Sequence, residues 1–299
     1  DKLVTLNKRG RMLSASYEAI RFFGTDTHSI PDCGMTVASR GTVMGAQSVR
    51  KTGEKLKGVM IQNALELHSL PLEEIEKAYG LKKGTLDYSK LTADQVELLD
   101  SQFYLKKYPD VKVPFSGVCN ACLWTGKQMA AFGWFKPQDL IQDHETGQGK
   151  AFPTFAYGCI VAEVEVDMKT GYVDVLEVTA SHDVGTAINP ALVKGQIYGG
   201  IVMGQGFAVT EDVVTGKRGQ KTKNFDSYIL PTSMDAPKMN INIYENQDPA
   251  GTYGAKSIGE PATEGVGAAI ANAIFNATGR RVYENPADLE TVLLGHKLQ

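Results

Sequence analysis

Several features that would declare a function at once are missing or scarce in this chain. No window reaches the ~18 consecutive apolar residues of a membrane span, so no transmembrane helix and no membrane partner are expected. There is no excess of basic charge. Lys and Arg total 31 against 34 Asp and Glu, a net charge of −3 with a pI near 6.0, and a nucleic-acid binder would need a basic stripe. No secretory signal is visible, which points to a soluble, cytoplasmic protein, although a chain starting at Asp1 can lack an upstream piece.

Cysteine is scarce too, with four in 299 residues: Cys33, Cys119, Cys122 and Cys159. Cys119-x-x-Cys122 has the spacing of half a zinc site or of a thiol redox pair. No second pair or neighbouring histidine completes a tetrad, so buried or loop thiols are the simpler reading. Four cysteines could ligate at most one iron–sulfur cluster, and their spacing fits neither ferredoxin pattern, so no cluster is expected. The acidic loop Asp143–Lys150 lacks ligands at alternating positions and reads as a loop rather than a calcium site. No metal-ligand set is assigned. Neither a G-x-x-x-x-G-K-[S/T] loop nor a strand–G-x-G-x-x-G–helix fingerprint occurs, which argues against a nucleotide-binding module.

What is present centres on Gly251-Thr-Tyr-Gly-Ala-Lys-Ser-Ile-Gly-Glu-Pro261. Gly251, Gly254 and Gly259 permit tight turns and close backbone approach. Beyond them Val266, Ala269, Ile270, Ala273, Ile274 and Ala277 recur at helical spacing, and Pro261 suits a first helical turn. Glu260 therefore stands at a helix N-terminus on a glycine loop. A carboxylate there is either a cap, favoured by the helix dipole, or an acid–base group.

Elsewhere, Val49, Leu56, Met60, Ala64 and Leu67 predict a long helix ending near His68, with Ser39 or Thr42 as its cap. The loop-to-helix junction Ala38-Ser-Arg-Gly41 suits an anion such as phosphate, or is simply a capped start. Leu72–Tyr79 reads as a short helix, and Thr92-Ala-Asp-Gln95 as a capping box ahead of Val96, Leu98 and Leu99. A further short helix is expected around residues 17–23. The segment from Phe155 to Val166, the turn Asp167–Gly171 and a return from Tyr172 to Val178 form a hairpin, and Met239, Ile241 and Ile243 alternate as a strand. Asn189-Pro190 opens a helix running to about Glu211. Its glycines are tolerable only where something packs close to the backbone.

Taken in order, the runs Thr25-Asp-Thr, Pro31-Asp-Cys-Gly, Ala38-Ser-Arg40, Glu145-Thr-Gly-Gln-Gly149, Glu163-Val-Glu-Val-Asp167 with Thr170-Gly171, Asp183-Val-Gly, Ile188-Asn-Pro190, Gly195-Gln-Ile-Tyr-Gly-Gly-Ile-Val-Met-Gly204 and Tyr253-Gly-Ala-Lys-Ser-Ile-Gly-Glu-Pro261 resemble the molybdopterin-binding region of the molybdenum hydroxylases, the xanthine dehydrogenase and aldehyde oxidoreductase family. Within it the chain is most similar to the medium molybdopterin subunit of split hydroxylases such as bacterial nicotinate dehydrogenase. Only the later part of the molybdenum region is matched.

The resemblance implies an α+β fold, with mixed sheets, layered helices and two intertwined lobes. Residues 1–150 would form the first lobe, with a helical insertion at about 69–111, and residues 151–299 the second. It implies that Glu260 is the general base in hydroxylation of a nicotinate-like N-heteroaromatic by water-derived oxygen. Burial, which disfavours a charged carboxylate, and a helix N-terminus, which favours it, are the opposing influences a general base uses. Ala38, Ser39, Arg40, Gly41, Met203, Gly204, Ser257, Ile258 and Gly259 match positions at the cofactor. That cofactor would be molybdopterin cytosine dinucleotide, its molybdenum carrying a sulfido or selenido ligand, shared with a second molybdopterin subunit. Iron–sulfur and FAD groups would sit on partner subunits. One departure is Met203, where many relatives have glutamine. A thioether cannot donate that hydrogen bond, and Gln205 stands two residues on. Aldehyde or purine hydroxylation, or a cofactor-holding scaffold without chemistry of its own, are the alternatives. A scaffold needs no acid at residue 260.

Overall fold

A computed structural model of the chain describes residues 20–21, 23–24, 26–28, 32–137 and 140–296. The helix expected at 17–23 rests largely on residues outside that set, as do Thr25 and Pro31 of the quoted runs. The described residues divide into two compact units. One takes in those up to Met35 together with 44–137, and the other Thr36–Val43 together with 140–296. Among the described residues no helix is long and apolar enough to cross a membrane.

A π-helical turn, Gly41–Gly45, continues into the first unit as α1 (Ala46–Glu66). The cap position of α1 is Gly45, without a side-chain cap bond, so neither expected residue, Ser39 or Thr42, stands at it. Val49 of the expected apolar stripe is exposed. Ala46, Gln47 and Gly53 are buried nearer the helix start, and Met60 and Ala64, with partly buried Leu56, enter the core. After α2 (Leu72–Ala78), the capping box at Thr92 and Gln95 forms in both directions, but it closes only a 3-10 turn, Ala93–Gln95.

That turn leads into no helix, contrary to the implication of the box. It leads into the antiparallel sheet β1 (Val96–Leu99), β2 (Gln102–Leu105) and β3 (Tyr108–Pro114). Val96 and Leu98, then Phe103 and Leu105, are buried at every second residue, which is a strand period. The stretch 69–111 is therefore part helix and part sheet. α3 (Phe115–Thr125) ends at left-handed Gly126. It buries Cys122 and packs Cys119 on the same core. Burial pushes the Cys119 thiol up, the direction that disfavours the reactive thiolate.

The second unit opens with a short hairpin, β4 (Ile141–Gln142) and β5 (Gly149–Lys150), around an Asx turn in which Asp143 accepts from the Glu145 amide at 2.8 Å. The hairpin read at residues 155–178 is present as β6 (Gly158–Val166) and β7 (Val173–Asp183). Asp167 closes its turn by accepting from the Lys169 amide and the Thr170 hydroxyl. β7 runs on through His182 and Asp183, further than periodicity showed. A bulge opposite Glu163 and Val164 explains why. It shifts the alternation so that Val173 and Val175, and then Val178 and Ala180, all reach the core.

α4 (Pro190–Val209) begins where Asn189-Pro190 places it, Asn189 Oδ1 accepting from the Leu192 amide at 3.2 Å. A small hairpin, β8 (Thr215–Gly216) and β9 (Gly219–Gln220), interrupts the polar loop. β10 (Lys238–Tyr244) then pairs parallel to β7, giving a mixed sheet ordered β10-β7-β6. The chain closes with α5 (Pro261–Glu264), α6 (Val266–Thr278) and α7 (Leu289–Leu294). Helices layered on a mixed sheet make the fold α+β. Ile197 and Ile201 of α4, and Val266, Ile270 and Ile274 of α6, share one core with Val178 and Ala180 of the sheet.

Some of the glycines of α4 serve this packing, and others do not. A Cβ at Gly200 would lie 2.7 Å from Ala262 Cβ, and one at Gly204 would lie 2.5 Å from Val266 Cβ. At Gly195 no heavy atom of the described residues falls within 4 Å. Gly200→Ala should therefore destabilise the chain by about 1 kcal/mol or more through overpacking, despite the better helix propensity of alanine. Gly195→Ala should be neutral or stabilising by about 0.5–1 kcal/mol. Urea unfolding of the two variants checks this, and equal midpoints would contradict the packing assignment.

Candidate active site

The loop from Gly251 to Glu260 is built onto the end of β7, the central strand of its sheet. Its first part is a 3-10 turn, Thr252–Gly254, with Tyr253 left-handed at φ 54°. The Thr186 amide donates to Gly254 O (2.8 Å) and the Lys256 amide to Val184 O (2.9 Å). Gly185 makes the approach possible, since a Cβ there would lie 2.1 Å from the Gly254 carbonyl oxygen. Lys256 and Asp183, each only 6% exposed, form an ion pair of 2.6 Å beneath the loop.

Glu260 occupies the cap position of α5 with helical φ and ψ, yet its side chain makes no cap hydrogen bond. It turns instead to residues 38 and 39. Oε1 accepts from the Ala38 amide (3.2 Å) and Oε2 from Ser39 Oγ (3.1 Å), while the Glu260 amide donates to Ser39 Oγ (2.8 Å). The carboxylate is exposed, so the apolar burial expected for it is not supplied by the described residues. Two of its roughly four lone-pair sites are taken, leaving capacity to accept a proton.

Holding this arrangement has a cost. Ala38 and Ser39 both have positive φ, 50° and 52°, a left-handed conformation that costs a non-glycine residue roughly 1–2 kcal/mol. Strain of this kind clusters where surrounding structure over-determines it, often at functional sites. Ser257 adds a second tie, its Oγ accepting from the Val43 amide at 3.4 Å. A Cβ at Gly259 would lie 3.2 Å from Ser39 Oγ, so the missing side chain leaves room for the serine.

Ala38, Ser39, Ser257, Gly259 and Glu260 thus come together, with Arg40 and Gly41 next in the chain. The helical turn from Gly41 has no acidic residue in its first turn. Arg40 adds a cation at the start of this turn, which suits an anionic, phosphate-bearing cofactor. Met203 is exposed and accepts from Thr263 Oγ1 at 3.9 Å, beside the turn after Glu260. Gln205 is buried, its amide donating to Asp235 O at 2.8 Å. Gly204 faces Val266, and Ile258 packs on the core. Among the described residues no group of three or more His, Cys, Asp or Glu could hold a metal ion.

Reasoning from sequence passed over the pairing of Asp183 with Lys256. The one available signal was the position of an acid and a base in two separate motif runs. Burial pushes the His182 imidazole down, favouring its neutral form. Burial alone would push the Asp183 carboxyl up, but the Lys256 hydrogen bond, the Gly185 amide and the Lys256 charge outweigh it and hold the group below the usual range. A depressed carboxyl contributes stability that is present above its unfolded value, about 3.9, and lost as pH falls through the folded one. Asp183→Asn should lower the urea midpoint at pH 7 and narrow its difference from wild type as pH falls from 5 to 3. Parallel curves would contradict the assignment.

Comparison with known proteins agrees with this architecture. A family model described as the molybdopterin cofactor-binding domain matches residues 10–237. The aldehyde oxidoreductase of Megalodesulfovibrio gigas is 38% identical over 289 residues, covering 97% of this chain, so that residue 260 falls within the aligned span, and 26% of that protein. The 6-hydroxypseudooxynicotine dehydrogenase complex subunit gamma of Paenarthrobacter nicotinovorans is 27% identical over 273 residues, 91% of this chain and 31% of that subunit. A solved structure of the aldehyde oxidoreductase from Desulfovibrio gigas superposes with a TM-score of 0.64 at 28% identity, covering 89% of this chain and 24% of that one. The chain thus spans about a quarter to a third of the length of these relatives. With the matched model covering most of its residues, the chain belongs to the molybdopterin cofactor-binding domain family of the molybdenum hydroxylases.

Proposed function

We propose that this chain is the part of a molybdenum hydroxylase that carries the general base, Glu260, against a molybdopterin dinucleotide. The observation that carries the reading is the Glu260 carboxylate itself. It starts a helix yet is held away from that helix by the Ala38 amide and the Ser39 hydroxyl. A cap would face its own amides, and a scaffold would need no acid there. Arg40, Ser39 and the open helical turn at Gly41 would hold the anionic part of the cofactor, with Gly259, Ser257 and the Met203 side chain beside it.

When bound, the cofactor supplies the electron sink and the place where water is activated. This chain's part is proton transfer. Ser39 and Ala38 fix the orientation of the Glu260 carboxylate, which takes the proton from the water-derived oxygen as it attacks an electron-poor carbon. A nicotinate-like N-heteroaromatic ring offers such a carbon, and a complex subunit named for a nicotine derivative is among the relatives. The more similar aldehyde oxidoreductase favours an aldehyde as the second reading.

The cytosine dinucleotide form of the cofactor, and partners carrying a second molybdopterin-binding part, iron–sulfur centres and flavin, complete the proposal. A relative named as one subunit of a complex supports it. So does the exposure of both tryptophans, Trp124 at 82% and Trp134 at 73%, since large exposed aromatics mark interaction surfaces.

Glu260→Gln should leave fold and molybdenum content unchanged while slowing metal reduction by substrate roughly 10²–10⁴-fold in a rapid-mixing experiment. A cap loss would instead cost about 1 kcal/mol of stability and little rate. Near-wild-type reduction in the glutamine variant would return Glu260 to a structural role.

A further inference from the structure

We infer that Asp183 and Lys256 are positioning residues for Glu260, fixing where its carboxylate stands by anchoring the loop that carries it. The inference rests on the reading of Glu260 as the base. Lys256 lies four residues before Glu260, and its ammonium is engaged below the surface. It donates to Asp183 Oδ2 at 2.6 Å and to Phe155 O at 2.8 Å, and lies 5.3 Å from the centre of the Tyr157 ring. Asp183 in turn accepts from the Gly185 amide at 3.0 Å. Backbone bonds flank the pair on both sides, Lys256 N to Val184 O and Thr186 N to Gly254 O. The anchor is the end of β7, which is paired along its length by β6 and β10. Only Ser257, Ile258 and Gly259 separate this anchor from Glu260.

Stability is a weak reason for such a pair. A buried ion pair forfeits so much hydration that well-packed apolar replacements are often as stable, whereas losing one partner is costly. What the pair supplies that apolar groups cannot is direction. The ammonium has two oxygen acceptors at fixed positions, one on β7 and one on the segment leading into β6. The loop is thereby held to one register against the strand end. The Ser39 clamp then meets Glu260 at a set place, and small misplacements of a reacting group can cost 10²-fold in rate.

The test uses the assembled, cofactor-loaded complex. In the double variant Asp183→Leu/Lys256→Met, urea midpoint and molybdenum content should stay near wild type. Amide hydrogen exchange of residues 257–262 should be faster, and the limiting rate of metal reduction should fall ten- to a hundredfold at unchanged substrate dissociation constant. Lys256→Arg, which keeps the charge but changes the donor geometry, should show the same two changes more weakly, and it decides the matter if the double variant does not fold. Wild-type exchange and rate in whichever of these variants folds would overturn the inference and leave the pair structural. If Glu260→Gln also reduces its metal at wild-type speed, the reading of Glu260 as base fails. If that variant collapses while the anchor variants do not, only the positioning role fails.

Discussion

A carboxylate at the start of a helix gains most simply by turning back onto the helix's free amides. Glu260 does not do so, because Ser39 meets it from both sides. The serine hydroxyl donates to the carboxylate and accepts from the Glu260 amide, with the Ala38 amide on the other oxygen. That reciprocal clamp needs residues 38 and 39 in left-handed conformation and a glycine at 259. Most of the surrounding architecture is what makes those requirements affordable.

The supports come from two directions. On one side the central strand β7 carries Val184 and Gly185, on which the glycine loop lies, and the Asp183–Lys256 pair beneath it. On the other, α4 gives up side chains at Gly200 and Gly204 so that α5 and the start of α6 can seat against its backbone. A helix with such glycines gives away propensity, and tight packing with the sheet core offsets it. The helix that Glu260 opens is only four residues long, so its position comes from these contacts rather than from its own cooperativity.

Local rules read well from the chain. Asn189-Pro190 marked a helix start and the turn Asp167–Gly171 marked a hairpin, while the close packing expected around the α4 glycines is met at Gly200, Gly204 and Gly206 but not at Gly195 or Gly199. The candidate residues around Glu260 came from ordered motifs whose resemblance supplied the family. Reading failed where a local signal met a non-local decision. The Thr92 box is a genuine cap, but Val96, Leu98, Phe103 and Leu105 need a strand period, and the sheet prevails after one 3-10 turn. Ser39 looked like a cap for the next helix, and its hydroxyl goes to a residue 221 positions away. Nothing in one sequence pairs such residues, nor Asp183 with Lys256, because the pairing depends on strand order and a bulge. The bulge also hid the full length of β7, by breaking the alternation on which strand reading depends.

The central claim is that Ser39 acts on the chemistry through Glu260, and a double-mutant cycle on metal reduction tests it most directly. Residues that work as one unit are not additive, whereas independent contributions multiply. Ser39→Ala should slow reduction of the loaded complex on its own, with rates taken per bound molybdenum, and should add nothing further in a Glu260→Gln background. Rates that fall by the product of the two single effects would contradict the account, by showing that the serine contributes apart from the carboxylate it holds.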